Sequence, residues 1–151
     1  MNNIQIAQAS IKDLEVIAPL FDQYRIFYNQ ESDLAGAEQY LFDRMEHQES
    51  VIFFAKDLHT KRLSGFTQLY PSFSSISMKR SWILNDLFVH EEYRGQGIAR
   101  QLLNEAKDFS LLTRAKGIEL STSHLNSRAQ KLYESLGYEK DNEFYHYYLT
   151  L

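Results

Sequence analysis

Two hydrophobic periods alternate along this chain and lay out its elements in order. Ile4 and Ile6 stand two apart in a short opening run, as a half-buried strand requires. From Leu14 onward, Leu14, Ile17, Ala18, Phe21, Tyr24 and Tyr28 fall three and four apart, the spacing of one helix face. Ser10 and Asp13 are placed as a capping box ahead of that helix. Pro19 inside it predicts a kink or interruption, because proline lacks the N–H the helix uses. A second helix is expected over Leu34–His47 with Asp33 as its cap.

The period then shortens. Val51-Ile52-Phe53-Phe54-Ala55 reads as a buried strand, the polar stretch Asp57–Lys61 as a turn, and Leu63 to Tyr70 as the return strand. Pro71–Ser75 reads as a loop, and Trp82 to Val89 as a central strand. Ile98, Leu102, Leu103, Ala106 and Phe109 restore helical spacing. Gly117–Thr122 predicts another strand. Asn126 predicts the cap of a helix carrying Ala129, Leu132, Tyr133 and Leu136, which stops at Gly137. Glu143–Leu151, rich in aromatic residues, predicts a closing strand. The order is β-α-α-β-β-β-α-β-α-β-β, a mixed α/β (α+β) domain built on an antiparallel meander.

Composition narrows the class. With 151 residues, 44% of them hydrophobic and 14% aromatic, residues 1–151 are expected to form a single globular domain with a sizeable core. No apolar run approaches the length of a membrane span, and the N-terminus lacks a signal-peptide core, so neither a membrane nor an export route is expected. The chain has no cysteine, which excludes disulfides, thiolate metal sites and a cysteine nucleophile, and leans toward a cytoplasmic location. A formal charge of −4 argues against non-specific nucleic-acid binding and for cationic ligands. The five histidines are scattered without metal-ligand spacing, so no metal is expected.

The candidate chemistry centres on Arg94-Gly95-Gln96-Gly97-Ile98-Ala99-Arg100, between the central strand and a helix. Glycines at a helix start let several backbone N–H groups converge where the helix dipole is positive, which suits a phosphate or pyrophosphate. The pair of glycines alone also fits a plain strand-to-helix turn. It fits neither the dinucleotide fingerprint, which needs a glycine where Arg100 stands, nor a P-loop, which needs Gly-Lys-Ser/Thr.

Arg94-x-x-Gly97-x-Ala99 resembles the Arg/Gln-x-x-Gly-x-Gly/Ala signature of the GNAT (GCN5-related N-acetyltransferase) superfamily, whose members bind acetyl-CoA. Asn126, followed seven residues later by Tyr133 and then by Gly137-Tyr138, resembles that family's downstream block, and the element order is similar along nearly the whole chain. The resemblance implies the GNAT fold: a mixed, largely antiparallel sheet of six to seven strands with about four helices. It implies acetyl-CoA as co-substrate, with no metal. The pyrophosphate would lie on the N–H groups of Gly95, Gln96, Gly97, Ile98, Ala99 and Arg100, with charge added by Arg94. Pantetheine would pair with Leu87, Phe88 and Val89, where an N–H near Leu87 or Phe88 polarises the acetyl carbonyl, and Asn126 would bond its other side. Tyr133 matches the tyrosine that protonates the departing sulfur.

The acceptor side resembles two branches of the family. Asn85-Asp86-Leu87 is similar to the diamine acetyltransferases, which carry a Glu-Asp pair there, and to the fungal histone/polyamine acetyltransferases. Asn85 replaces the first acid and cannot act as a base. Asp86 remains, either as a group that binds a cationic amine and relays its proton or as an ordinary paired carboxylate. Tyr28, Glu31 and Tyr70 fall where the family's acceptor groove lies, and so does Tyr24, whose spacing fits core packing better. The expected activity is acetylation of a primary amine on a small, polyamine-like molecule by direct attack. Acetylation of a lysine or N-terminus in a basic peptide is the alternative within that chemistry, and a non-catalytic acyl-CoA-binding module the alternative outside it. The aromatic cluster Phe144–Tyr148 is expected to pack across strands, or to meet a second copy in a homodimer.

Overall fold

The computed structural model describes residues 3–151, which form two compact units, one reaching Leu120 and the other spanning Ser121–Leu151. The first unit contains β1 (Ile4–Gln8), α1 (Leu14–Phe27), α2 (Leu34–Glu46), β2 (Val51–Asp57), β3 (Leu63–Ser74), β4 (Lys79–Val89), α3 (Ile98–Leu112) and β5 (Ile118–Glu119). Short 3₁₀ turns precede α1 at Ile11–Asp13 and α3 at Glu91–Tyr93. The strands form one sheet in chain order, β1-β2-β3-β4-β5, antiparallel throughout except for the parallel β4–β5 pair.

The two faces of this sheet hold different cores. Ile17, Ala18 and Phe21 of α1 and Ala37 and Leu41 of α2 are buried with Ile52, Phe66 and Phe88 on one face. On the other, the Phe109 ring of α3 lies 5.4 Å from Phe53 and 5.3 Å from Trp82, and Leu102, Leu103 and Ala106 are buried. Each such side chain contributes about 1.5–3 kcal/mol relative to exposure. Gly65 permits close backbone approach at this level, since a Cβ there would stand 2.8 Å from the Phe88 carbonyl oxygen.

Several expectations change. Pro19 does not interrupt α1, which is continuous from Leu14 to Phe27. The proline and Glu15, whose carbonyl it cannot satisfy, both lie on the exposed side of the helix, while Ala18 and Leu20 are buried and carry it. The stretch Pro71–Ser74 is strand rather than loop, paired with β4 from Pro71↔Trp82 to Ser74↔Lys79. The β2 ladder ends at Val51↔Leu69, so beyond that point β3 is an edge strand, where a residue without an N–H is tolerated. The capping box forms as expected, with Ser10 accepting from Lys12 and Asp13 accepting from the Ser10 N–H at 2.8 Å.

The second unit contains α4 (Ser127–Ser135). The Asn126 side chain accepts from the Ala129 N–H at 3.1 Å, satisfying a first-turn donor. The helix ends with Gly137 N–H on the Glu134 carbonyl and Tyr138 N–H on the Tyr133 carbonyl, both at 3.1 Å. Gly137 has φ +94°, the left-handed conformation this ending demands and glycine supplies without strain. The closing strand expected over Glu143–Leu151 is not formed. A strand needs a partner's main chain; none of residues 121–151 joins a ladder, and Tyr145, Tyr147 and Tyr148 are at least 90% exposed. The sheet therefore has five strands among the described residues, not six or seven, and β5 is two residues long.

Candidate active site

An irregularity in β4 organises the site. Gln68 of β3 faces Asp86, but the next pair is Leu69↔Leu84, so Asn85 is an extra residue with no partner. A bulge of this kind shifts the alternation of faces by one. Trp82 accordingly packs toward α3, whereas Phe88, six residues on, lies with α1 and α2. Asp86 moves with Phe88 to the α1/α2 side.

There Asp86 lies at the wall of a cavity of about 340 Å³, lined by Phe21, Tyr24 and Arg25 of α1, Asp33, Gly36, Ala37 and Tyr40 at and within α2, Tyr70 of β3, and Asn85 and Asp86 of β4. The residue is 3% exposed. It accepts from the Gln68 amide at 2.5 Å, from the Asn85 amide at 3.1 Å, and from the Tyr24 hydroxyl. Burial dominates these contacts and holds the Asp86 pKa above the ordinary carboxylate value, because desolvation penalises the charged form more than the three donors favour it. Gln68 is completely buried, and its Oε1 has no hydrogen-bond partner. The Tyr70 hydroxyl bonds that of Tyr40 at 2.8 Å, and burial raises its pKa, so it stays a neutral phenol. Tyr24 also serves the core, with its ring edge-on to Phe66 at 5.6 Å and Phe88 at 5.9 Å.

The structure thus brings together Asn85, Asp86 and Tyr70 of the expected acceptor residues. Tyr28 and Glu31 are exposed and do not line the cavity; the Glu31 carbonyl accepts from Arg25 at 3.3 Å. Sequence reasoning missed Gln68, Tyr40, Arg25 and Asp33. Gln68 carried one legible signal, a lone amide amid apolar residues of a buried strand.

At the far end of β4, Gly95 and Gly97 have φ +78° and +80°, and no atom lies within 4 Å of where a Cβ would stand on either. Gly97 is the N-cap of α3 and offers no side chain to its first turn, so that helix start lacks the usual capping acceptor. Arg94 opens this loop, directly ahead of Gly95. Its Nε donates to the Val89 carbonyl at 2.9 Å and its guanidinium lies over Phe27 and Phe88, 5.2 and 5.6 Å from their centres. The side chain ties the loop to the end of β4. On the side away from β3, β4 pairs with β5 at Trp82 and Ile83, and among the described residues Leu84–Val89 have no strand partner there. In the second unit, Tyr133 lies in the last two turns of α4, its ring 5.8 Å from that of Tyr138. Among the described residues, no group of His, Cys, Asp or Glu is arranged to hold a metal ion and no helix is long and apolar enough to cross a membrane.

A profile of the acetyltransferase (GNAT) domain matches residues 48–140, which include the bulged strand, the glycine loop and α4. The chain belongs to the GNAT acetyltransferases. It is 51% identical over 148 residues to the uncharacterized N-acetyltransferase YhfO of Bacillus subtilis strain 168, spanning 98% of each chain. It is 32% identical over 136 residues to a probable acetyltransferase of Haemophilus influenzae, spanning 90% of each. A crystal structure of a probable acetyltransferase superposes with a TM-score of 0.92 over 97% of both chains at 46% identity. Acetyltransferases of this family use acetyl-CoA as acetyl donor. The uncapped start of α3, the clear space over Gly95 and Gly97 and the unpaired β4 edge fit a diphosphate followed by an amide-bearing chain.

Proposed function

We propose that the enzyme acetylates the primary amine of a small molecule held in the cavity between α1, α2 and the β4 bulge, with Asp86 accepting the amine's proton. The buried Asp86 beside that cavity carries the reading. An alkylamine is mostly protonated near neutral pH and cannot attack until it loses a proton. A carboxylate whose pKa is raised by burial binds the ammonium and is a better base than an ordinary aspartate. Asn85 and Gln68 keep it oriented by donating to it, and Asn85 has no part in proton transfer. Tyr24, Tyr40 and Tyr70 line the cavity with aromatic side chains, an environment that suits a cation. A cavity of about 340 Å³ bordered by α1, α2, β3 and β4 is of a size that suits a small acceptor.

Acetyl-CoA supplies an acetyl group activated as a thioester. In this reading Gly95, Gln96, Gly97, Ile98, Ala99 and Arg100 hold its diphosphate by their main chain, and Leu87, Phe88 and Val89 pair with pantetheine, an N–H of Leu87 or Phe88 meeting the acetyl oxygen. Arg94 fixes the loop to Val89 through its Nε and brings its guanidinium charge to that loop. Asn126 orients the start of α4, and Tyr133 gives a proton to the departing sulfur. The test is release of CoA from acetyl-CoA with a panel of primary amines, with products identified by mass spectrometry. Asp86→Asn should lower turnover at least 100-fold while acetyl-CoA still binds. Full activity in that variant, or silence with every amine, would overturn the reading.

A further inference from the structure

The cavity holds two charged groups that acetylation of a simple amine does not use. Arg25 is pinned by its Nη1 bond to the Glu31 carbonyl at 3.3 Å, and its fork of five donors is far from exhausted by that one contact. Asp33 caps α2 through Oδ1, which accepts from the Gly36 N–H at 2.9 Å, leaving Oδ2 over Gly36. Both line the cavity with Asp86, yet neither enters an ion pair among the described residues. The nearby Asp22 does not account for Arg25. Its carboxylate is occupied by the Ser32 hydroxyl at 2.6 Å and the Asp33 N–H at 2.8 Å, and Arg25 acts on it only as a neighbouring charge.

An unpaired guanidinium and two carboxylates around one cavity match a ligand with one negative and two positive groups. We propose that the acceptor is a diamino acid of the lysine or ornithine type, its α-carboxylate on the Arg25 fork, its α-ammonium on Asp33 and its side-chain amine at Asp86. A guanidinium binds a carboxylate through two parallel N–H···O bonds, which fixes orientation as well as charge. The free energy of that grip is available to hold the distal amine against the thioester. The side-chain nitrogen bonds to the acetyl carbon and the carbon–sulfur bond breaks. The amine's proton goes to Asp86, the sulfur takes a proton, and the products are the side-chain N-acetyl amino acid and CoA thiol.

This assignment rests on the amine-acetylating reading, and three matched acceptors separate the two. Lysine, cadaverine (no carboxylate) and 6-aminohexanoate (no α-amine) are assayed with acetyl-CoA under identical conditions. Lysine should show a kcat/KM at least tenfold above either analogue. Arg25→Met should collapse the lysine-over-cadaverine preference toward one. Asp33→Ser, which retains a capping oxygen, should collapse the lysine-over-6-aminohexanoate preference. Cadaverine acetylated as well as lysine, or an Arg25 variant that slows both equally, would overturn the diamino-acid assignment while leaving amine acetylation standing. No acetylation of any of the three while another primary amine is acetylated would overturn the diamino-acid assignment alone, and silence with every primary amine would overturn both.

Discussion

Gln68→Met tests whether the buried amide works through Asp86. Methionine matches glutamine in length and lack of branching, so the variant removes a hydrogen bond with little change of shape. The Gln68 amide sits 2.5 Å from a carboxyl that burial already disfavours as an anion. A hydrogen bond to a charged group contributes about 1.5–3 kcal/mol, or about 10- to 150-fold in an equilibrium. Two effects then separate. For catalysis the lost donor raises the Asp86 pKa further, so a smaller fraction is ionised and kcat/KM on the acid limb of the profile should fall, by up to about 10- to 150-fold. For stability the loss is offset, because the variant also deletes Oε1, a buried acceptor with no partner whose burial costs about 1–3 kcal/mol. The melting temperature should therefore hardly move. The assay is kcat/KM against pH beside thermal denaturation. A group with a raised pKa is charged only toward the alkaline side, so the acid limb should shift to higher pH and the variant should approach the parent as pH rises. An equal reduction at every pH would show that Gln68 acts by packing alone.

Two further outcomes concern the other half of the site. Gly97→Ala places a Cβ in clear space but at φ +80°, where an L-residue costs about 1–2 kcal/mol. It should lose a few degrees of melting temperature and at least tenfold in acetyl-CoA affinity by calorimetry; undiminished affinity would take the diphosphate away from this bend. Tyr133→Phe should cut turnover by about 10²- to 10⁴-fold with acetyl-CoA affinity nearly intact, the range for loss of a general acid, and unchanged turnover would leave that proton to solvent.

What the sequence determined by itself was local. Helical and strand periods placed α1, α2, α3 and the β2–β4 meander, and local signals the caps at Ser10, Asp33 and Asn126, because each depends on residues within one or two turns of each other. The glycines ahead of α3 were legible for the same reason: a left-handed bend at a helix start is a property of the bend. Tertiary structure decided where the chemistry points. The bulge at Asn85 arises from register between β3 and β4, not from any glycine or proline in β4, and it alone turns Asp86 from one face of the sheet to the other. Gln68, Tyr40, Arg25 and Asp33 reach one cavity from α1, α2 and β3, across separations in the chain that periodicity does not span. The aromatic run at Glu143–Leu151 had a strand's alternation and no ladder to join, since pattern supplies one side of a hydrogen-bonded pair and only the fold supplies the other.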